Sequence, residues 1–290
     1  MVITCLMGGL GNQMFQYAFG LRTAQALQQE LKLSKLILES KLAAQLRNFT
    51  HRQYELDVFG LNVPFASTSE TLSSLILATL PGSRSFILRE QSNVESILSL
   101  MLHSAKSVLC WGYWQSENWF KPIAPLLRQQ FIFQRPLSPR SQQYAEAIQR
   151  SHNAVFIHIR RGDYVSNPNA NKHHGFIGEI YYRKAIDQMH QQLDAPEFFV
   201  FSDDMGWVRS NLGPAMSSAT YIEGNTGANS WQDMYLMSLC QFAIIANSSF
   251  SWWGAWLNPS TTKTVIAPKQ WFASPNVSSK TIVPENWLLL

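Results

Sequence analysis

The chain has 290 residues, 46% of them hydrophobic, with 15 glycines and 13 prolines, a composition that excludes collagen-like, elastomeric and disordered classes. A net charge of +4 without a run of like charges suits a small anionic ligand and argues against nucleic acid as a partner. The three cysteines, Cys5, Cys110 and Cys240, form no C-x-x-C pair, and no apolar run reaches the ~18 residues of a membrane span, so a soluble, cytoplasmic protein is expected.

Residues 2–7 read as a strand and Gly8-Gly9-Leu10-Gly11-Asn12 as a turn. Met14, Ala18, Leu21, Ala24, Leu27 and Leu31 then recur at helical spacing. A second strand is expected at residues 36–38. The pattern decays through a polar stretch (42–65), a Ser/Leu-rich segment (67–102) and the aromatic cluster Trp111-Gly112-Tyr113-Trp114. From residue 140 it is regular again. Helices are expected at 144–149, 181–191, 207–212, 231–239 and 252–257, with strands at 154–159, 198–201, 220–222, 242–246 and 264–267. Strand and helix by turns imply α/β halves with parallel, doubly wound sheets. The Pro-bearing stretch 133–140 marks the boundary, dividing the chain into 1–139 and 140–290, with a C-terminal tail able to pack back on the first half.

Open α/β sheets bind ligands beyond the carboxyl ends of their strands. Those positions carry Gly8–Gln13 after the first strand, Arg160-Arg161-Gly162-Asp163 after 154–159, Ser202-Asp203-Asp204 after 198–201, and Asn247-Ser248-Ser249 after 242–246.

Glycines between strand and helix let backbone N–H groups approach a phosphate. The dinucleotide fingerprint is incomplete, however, because its third glycine falls at Met14, and a plain tight turn competes with a ligand site. Adjacent arginines at a strand tip are costly unless anions neutralise them. Strand alternation puts His158 and Arg160 on one face and Arg161 on the other. Arg160 can then fork onto a phosphate with His158 beside it, while Arg161 better suits a pinned turn and Asp163 an arginine partner. Asp203 and Asp204 are adjacent and lack an Asp-x-Asp spacing, so a helix cap competes with a metal. Asp233 stands three residues after Ser230, as a capping box or as a carboxylate for the N–H edge of guanine. Ser248 and Ser249 either cap a helix or bind phosphate. Trp252, Trp253 and Trp256 fit a core better than a sugar platform, and His173-His174 fits a surface loop better than zinc.

Gly8 to Tyr17, the H-x-R-R-x-D run from His158 to Asp163, Phe201-Ser202-Asp203-Asp204, and Asn247-Ser248-Ser249-Phe250-Ser251-Trp252-Trp253-Gly254 together resemble the α-1,2-fucosyltransferases of glycosyltransferase family 11. The resemblance implies a GT-B-like fold, two Rossmann-like halves with parallel sheets facing a cleft. The first half would bind mainly the acceptor and the second GDP-fucose. It implies inverting transfer of fucose to the 2-hydroxyl of a β-galactoside, with no cofactor and no metal. Arg160 would contact the β-phosphate with His158 beside it. Asp233 would hold guanine and Ser248 or Ser249 a phosphate. Gly9, Gly11, Asn12 and Gln13 would close over diphosphate and fucose, with Asp203 also in the donor site. The lack of an N-terminal anchor suggests a bacterial-type enzyme of surface-polysaccharide synthesis. Asp163, His158 and Glu223 fit a catalytic base by type, and none is singled out. Two rivals belong to other classes. A nicotinamide oxidoreductase would set Glu39 on a ribose, and a non-catalytic glycan-binding protein would account for the aromatics.

Overall fold

The structure, a computed structural model, describes residues 1–40, 52–90, 105–161, 177–272 and 281–290. It divides into two units, Met1–Gln134 and Arg135–Leu290. The division falls ahead of residue 140 because 135–138 already belong to the second unit's packing. Ser138 caps the next helix through its side chain, and its own N–H donates to Gln232 Oε1 at 2.7 Å.

In the first unit, β1 (Val2–Cys5) leads through the glycine turn into α1 (Leu10–Leu27) and β2 (Leu31–Ser34). Then come α2 (Thr68–Leu77), β3 (Ser85–Arg89), β4 (Ser107–Trp111) and the short α3 (Ala124–Gln130). All pairings are parallel, in the order β2-β1-β4-β3. The second strand thus precedes the expected 36–38. Gln28 ends α1 in the left-handed region (φ 52), so Leu31, read above as the helix's last apolar position, opens β2 instead. That stop was hidden because no glycine marks it.

The second unit contains α4 (Pro139–Arg150), β5 (Ala154–Ile159), α5 (Glu179–Gln192), β6 (Glu197–Ser202), α6 (Met205–Asn211) and β7 (Ala219–Tyr221). It continues with α7 (Trp231–Leu239), β8 (Phe242–Ile244), α8 (Ser249–Leu257), β9 (Thr264–Ala267) and β10 (Leu288–Leu289). The parallel sheet runs β10-β9-β8-β5-β6-β7. Val155, Ile157 and Ile159 of β5 share an apolar layer with Tyr182, Ile186 and Met189 of α5 and Val208 of α6. The period of two then sends Phe156 and His158 to the opposite face. The C-terminal tail adds a strand to the second sheet: β10 pairs with β9, and Leu290 N–H donates to the Ala267 carbonyl at 3.0 Å.

Trp252 and Trp253 are wholly buried, and Trp252 Nε1–H donates to the Ile282 carbonyl at 2.8 Å. With Trp256 and Trp287 they form an aromatic core, as α8's composition suggested. Gly254 lets α8 approach α7 closely, since a Cβ there would lie 2.7 Å from Met237 Cβ. Among the described residues no helix is long and apolar enough to cross a membrane. The three cysteines are free and buried.

Candidate active site

In the second sheet the chain winds outward from β5 through β6 and β7, then returns to build β8, β9 and β10 on the other side. The carboxyl ends of β5 and β8 therefore flank the point where strand order reverses, the place where doubly wound sheets open a ligand crevice. The tip of β5 supplies His158 and Arg160. The β8 end supplies Asn247, Ser248 and Ser249 and opens α8, so four of the expected site residues sit at one edge. His158 and Phe250 of α8 have ring centroids 6.2 Å apart, which ties the two tips together.

Burial, reinforced by the Arg160 cation and opposed by Asp203, lowers the His158 pKa to about 4, so its imidazole is neutral at physiological pH. Its Nδ1 is buried without a hydrogen-bond partner among the described residues. Arg160 is half-buried one strand repeat further on, close enough to act electrostatically on His158. Ser248 is buried and its Oγ accepts the Phe250 N–H at 3.3 Å, so its side chain caps α8. Ser249 is half-buried in the first turn of α8, at the positive end of that helix.

Arg161 does pin a turn. Its Nη1 donates to Asp204 Oδ2 at 2.7 Å and its guanidinium lies over the Trp207 ring at 4.9 Å. Asp204 also caps α6 through Oδ1 and the Trp207 N–H, while Asp203 Oδ1 accepts the Arg161 N–H at 2.7 Å. The acid pair thus joins the β5 and β6 tips, with one Asp203 oxygen bound to backbone. Asp163, the expected partner of Arg161, and His173-His174 lie outside the described residues. Glu223 is bound by Arg209 at 2.9 Å and Arg140 at 3.6 Å, which leaves it poorly suited to accept a proton.

Asp233 does not form the capping box, because Ser230 makes no side-chain cap. Its Oδ1 instead accepts Asn225 Nδ2–H at 2.8 Å, and Asn225 Oδ1 accepts the Ser141 hydroxyl at 3.1 Å. Burial raises the Asp233 pKa to about 7, with the Asn225 bond partly opposing the rise. A half-buried carboxylate held from one side by an amide, with no cation among the described residues paired to it, is equipped to receive N–H donors from a ligand. Ser141 and Asn225 carried no motif; the link closes over 84 residues.

The first unit's edge differs from expectation. Gly8 adopts φ +75, where a Cβ would strike Asn12, so glycine is required there. Gln13 is wholly buried: its Nε2 donates to the Gly8 and Gln53 carbonyls at 2.9 and 2.8 Å, and its Oε1 accepts the Glu55 N–H at 2.9 Å. Both amide N–H groups are used within the protein, so Gln13 holds the loop. Asn12 Oδ1 accepts Gln115 Nε2–H at 2.7 Å. The N-terminus of α1 is occupied: Glu55 Oε2 accepts the Leu10 N–H at 3.1 Å. That carboxylate stands at the helix end where a phosphate was expected, so Gly9 and Gly11 border a polar edge that includes Glu55. Nothing in the polar stretch 42–65 announced Glu55. The dinucleotide reading fails here too, since Glu39 lies beyond β2, exposed and paired with Lys35 at 2.9 Å.

Two parallel Rossmann-like sheets with polar strand tips place the molecule among GT-B-like α/β proteins. The solved structure of Arabidopsis thaliana FUT1 in complex with GDP has this fold, with a TM-score of 0.52 at 11% identity over 92% of this chain and 69% of that one. A model of glycosyltransferase family 11 matches residues 1–290, and the chain belongs to that family. It is similar to the alpha-1,2-colitosyltransferase of Escherichia coli, 34% identical over 99% of this chain and 98% of the relative. It is also similar to human galactoside alpha-(1,2)-fucosyltransferase 1, 27% identical over 50% of this chain and 42% of that protein.

Proposed function

We propose that this glycosyltransferase moves L-fucose from GDP-β-L-fucose to the 2-hydroxyl of a β-galactoside, by single displacement with inversion and without a metal. The observation that carries this reading is the gathering of Arg160, His158, Ser249 and the α8 N-terminus where the second sheet's strand order reverses. The second unit, 135–290, binds the donor and the first the acceptor.

Breaking the sugar–phosphate bond leaves growing negative charge on GDP, and catalysis requires groups that bind that charge more tightly as it develops. Arg160 offers a permanent, bidentate cation to the β-phosphate. The Ser249 hydroxyl and the positive end of α8 add neutral donors. A neutral His158 orients the phosphate without competing for its charge. Asp233 takes the N–H edge of guanine, which an adenine base does not present. The acceptor oxygen attacks the anomeric carbon opposite the departing phosphate, turning a β-linked donor into an α-linked product.

The whole-chain likeness to a colitosyltransferase favours a second reading of the sugar. Colitose is fucose without its 3-hydroxyl. A site built to hydrogen-bond that hydroxyl rejects the deoxy sugar by roughly 10⁴-fold, whereas an apolar site barely distinguishes them. Free, buried cysteines are consistent with a reducing cytoplasm.

The test is direct: incubate the protein with GDP-fucose or GDP-colitose and a panel of β-galactosides, then determine the product linkage by NMR. An α-1,2-fucoside is expected. Exclusive transfer of colitose replaces the donor assignment, and no transfer from either donor refutes the proposal.

A further inference from the structure

The strands of the second sheet are all parallel, so the loop that leaves β7 and the N-terminus of α7 both lie at its carboxyl edge, and α4, which feeds the start of β5, begins at that edge too. α7 packs against α4 and against α8, whose Phe250 ring meets His158. A closed ring of hydrogen bonds joins the starts of α4 and α7. Asp233 Oδ1 accepts Asn225 Nδ2–H, Asn225 Oδ1 accepts the Ser141 hydroxyl, and the Ser141 N–H donates to Ser138 Oγ at 3.2 Å. The Ser138 N–H closes the ring on Oε1 of Gln232, the chain neighbour of Asp233. Ser141 is wholly buried and Gln232 nearly so, while Asn225 and Asp233 are half-buried. Gly224 at φ +98 and Gly227 at φ +57 turn the loop back on itself. Arg140 of α4 straps that loop through Glu223 at 3.6 Å. Asp233 Oδ2 makes no hydrogen bond with a described residue.

We propose that Asn225, pinned by Ser141, is the positioning residue that makes Asp233 a reader of guanine: its Nδ2–H holds one carboxylate oxygen and favours the ionised form, leaving the other oxygen for the N–H edge of the base. This rests on the transferase reading and on Asp233 as its guanine contact. An ionised carboxylate only accepts, so the amide turns Nδ2 toward Asp233, and the Ser141 hydroxyl on Oδ1 fixes that choice. Guanine offers two adjacent N–H groups and needs the charged carboxylate. Adenine presents an acceptor at the same edge and gains nothing from it.

The charges around Asp233 are otherwise engaged. Arg140 binds Tyr144 and Glu223, and Glu223 binds Arg209 of α6. Glu146 and Arg150 lie further along α4, α7 carries no other charged residue and α8 carries none. Burial raises the Asp233 pKa, and the Asn225 bond opposes that rise.

The readout is the ratio of GDP to ADP affinity, measured by calorimetry on the full chain at pH 5.5, 7 and 8.5. ADP carries the same diphosphate, so the ratio cancels the phosphate's own titration and reports the base contact. In the wild type it is expected to rise through pH 7 as Asp233 ionises. Asn225→Ala should move that midpoint up by about one pH unit, the size of a hydrogen bond to a charged group. GDP affinity then falls about tenfold at pH 5.5, about fivefold at pH 7 and less than about twofold at pH 8.5, with ADP affinity unchanged. Asn225→Asp keeps an acceptor for Ser141 but sets a second carboxylate against the first, and should move the midpoint further. Ser141→Ala should move it the same way by less. An unshifted midpoint in any of the three variants, a loss equal at all three pH values, or an equal loss of ADP affinity overturns the proposal. If the wild-type ratio ignores pH, or Asp233→Asn preserves it, the guanine reading of Asp233 falls; if the wild type responds and the variants do not, only the role of Asn225 falls.

Discussion

At the scale of single residues, the account depends on how the second unit treats charge. Arg161 and Arg160 are neighbours, yet one is bound by Asp204 and stacked on Trp207 while the other is half-buried at the β5 tip and acts electrostatically on His158. Arg160→Ala is therefore expected to lower kcat by about 10²–10³-fold, the usual cost of removing a donor to developing charge, with circular dichroism and melting unchanged. Arg161→Ala should act on stability more than turnover, because it removes the β5–β6 pin. Asp233 gives a sign that can be worked out. Its carboxyl titrates near pH 7 in the free protein, and only the ionised form accepts guanine's N–H groups. GDP binding should weaken about tenfold for each pH unit below 7 and level off above it, with a proton released on binding. Titrations at pH 5.5, 7 and 8.5 check this, and pH-independent affinity would separate Asp233 from the base. The contrast between neighbours was legible in part: period-two alternation separates Arg160 from Arg161, but the partners of both, and the Ser141–Asn225–Asp233 chain, are contacts that spacing does not encode.

At the scale of elements, close approach and burial decide. Gly254→Ala puts a methyl against Met237 and should cost about 1–3 kcal/mol by forcing α8 off α7; thermal unfolding reads this directly. Trp252→Ala removes a fully buried ring and its bond to Ile282, a loss of about 3–5 kcal/mol. The elements of the second unit were readable because buried parallel strands such as 154–159 are continuous apolar runs between amphipathic helices. In the first unit β2 was misplaced, since a helix stop at a left-handed Gln28 looks like any other glutamine. The glycine turn was found, but the carboxylate that stands beside it was not. Glu55, which occupies the α1 N-terminus, comes from a stretch without periodicity, 45 residues away along the chain.

At the scale of the whole molecule, two parallel sheets each expose a polar strand edge at the point where strand order reverses, and the account assigns the donor to one and the acceptor to the other. On the proposed mechanism cationic and hydroxyl groups do the work of a metal at the donor edge, so EDTA should leave turnover within about twofold; complete loss restored by Mg²⁺ would replace this mechanism with a metal-dependent one. The most direct measurement is calorimetric titration of GDP into the wild-type protein and into Arg160→Ala. One saturable site is predicted in the first, and binding weaker by about tenfold or more in the second, as expected when a charge-assisted contact is removed. A folded wild type that takes up no GDP, or one whose affinity ignores Arg160, would contradict the account.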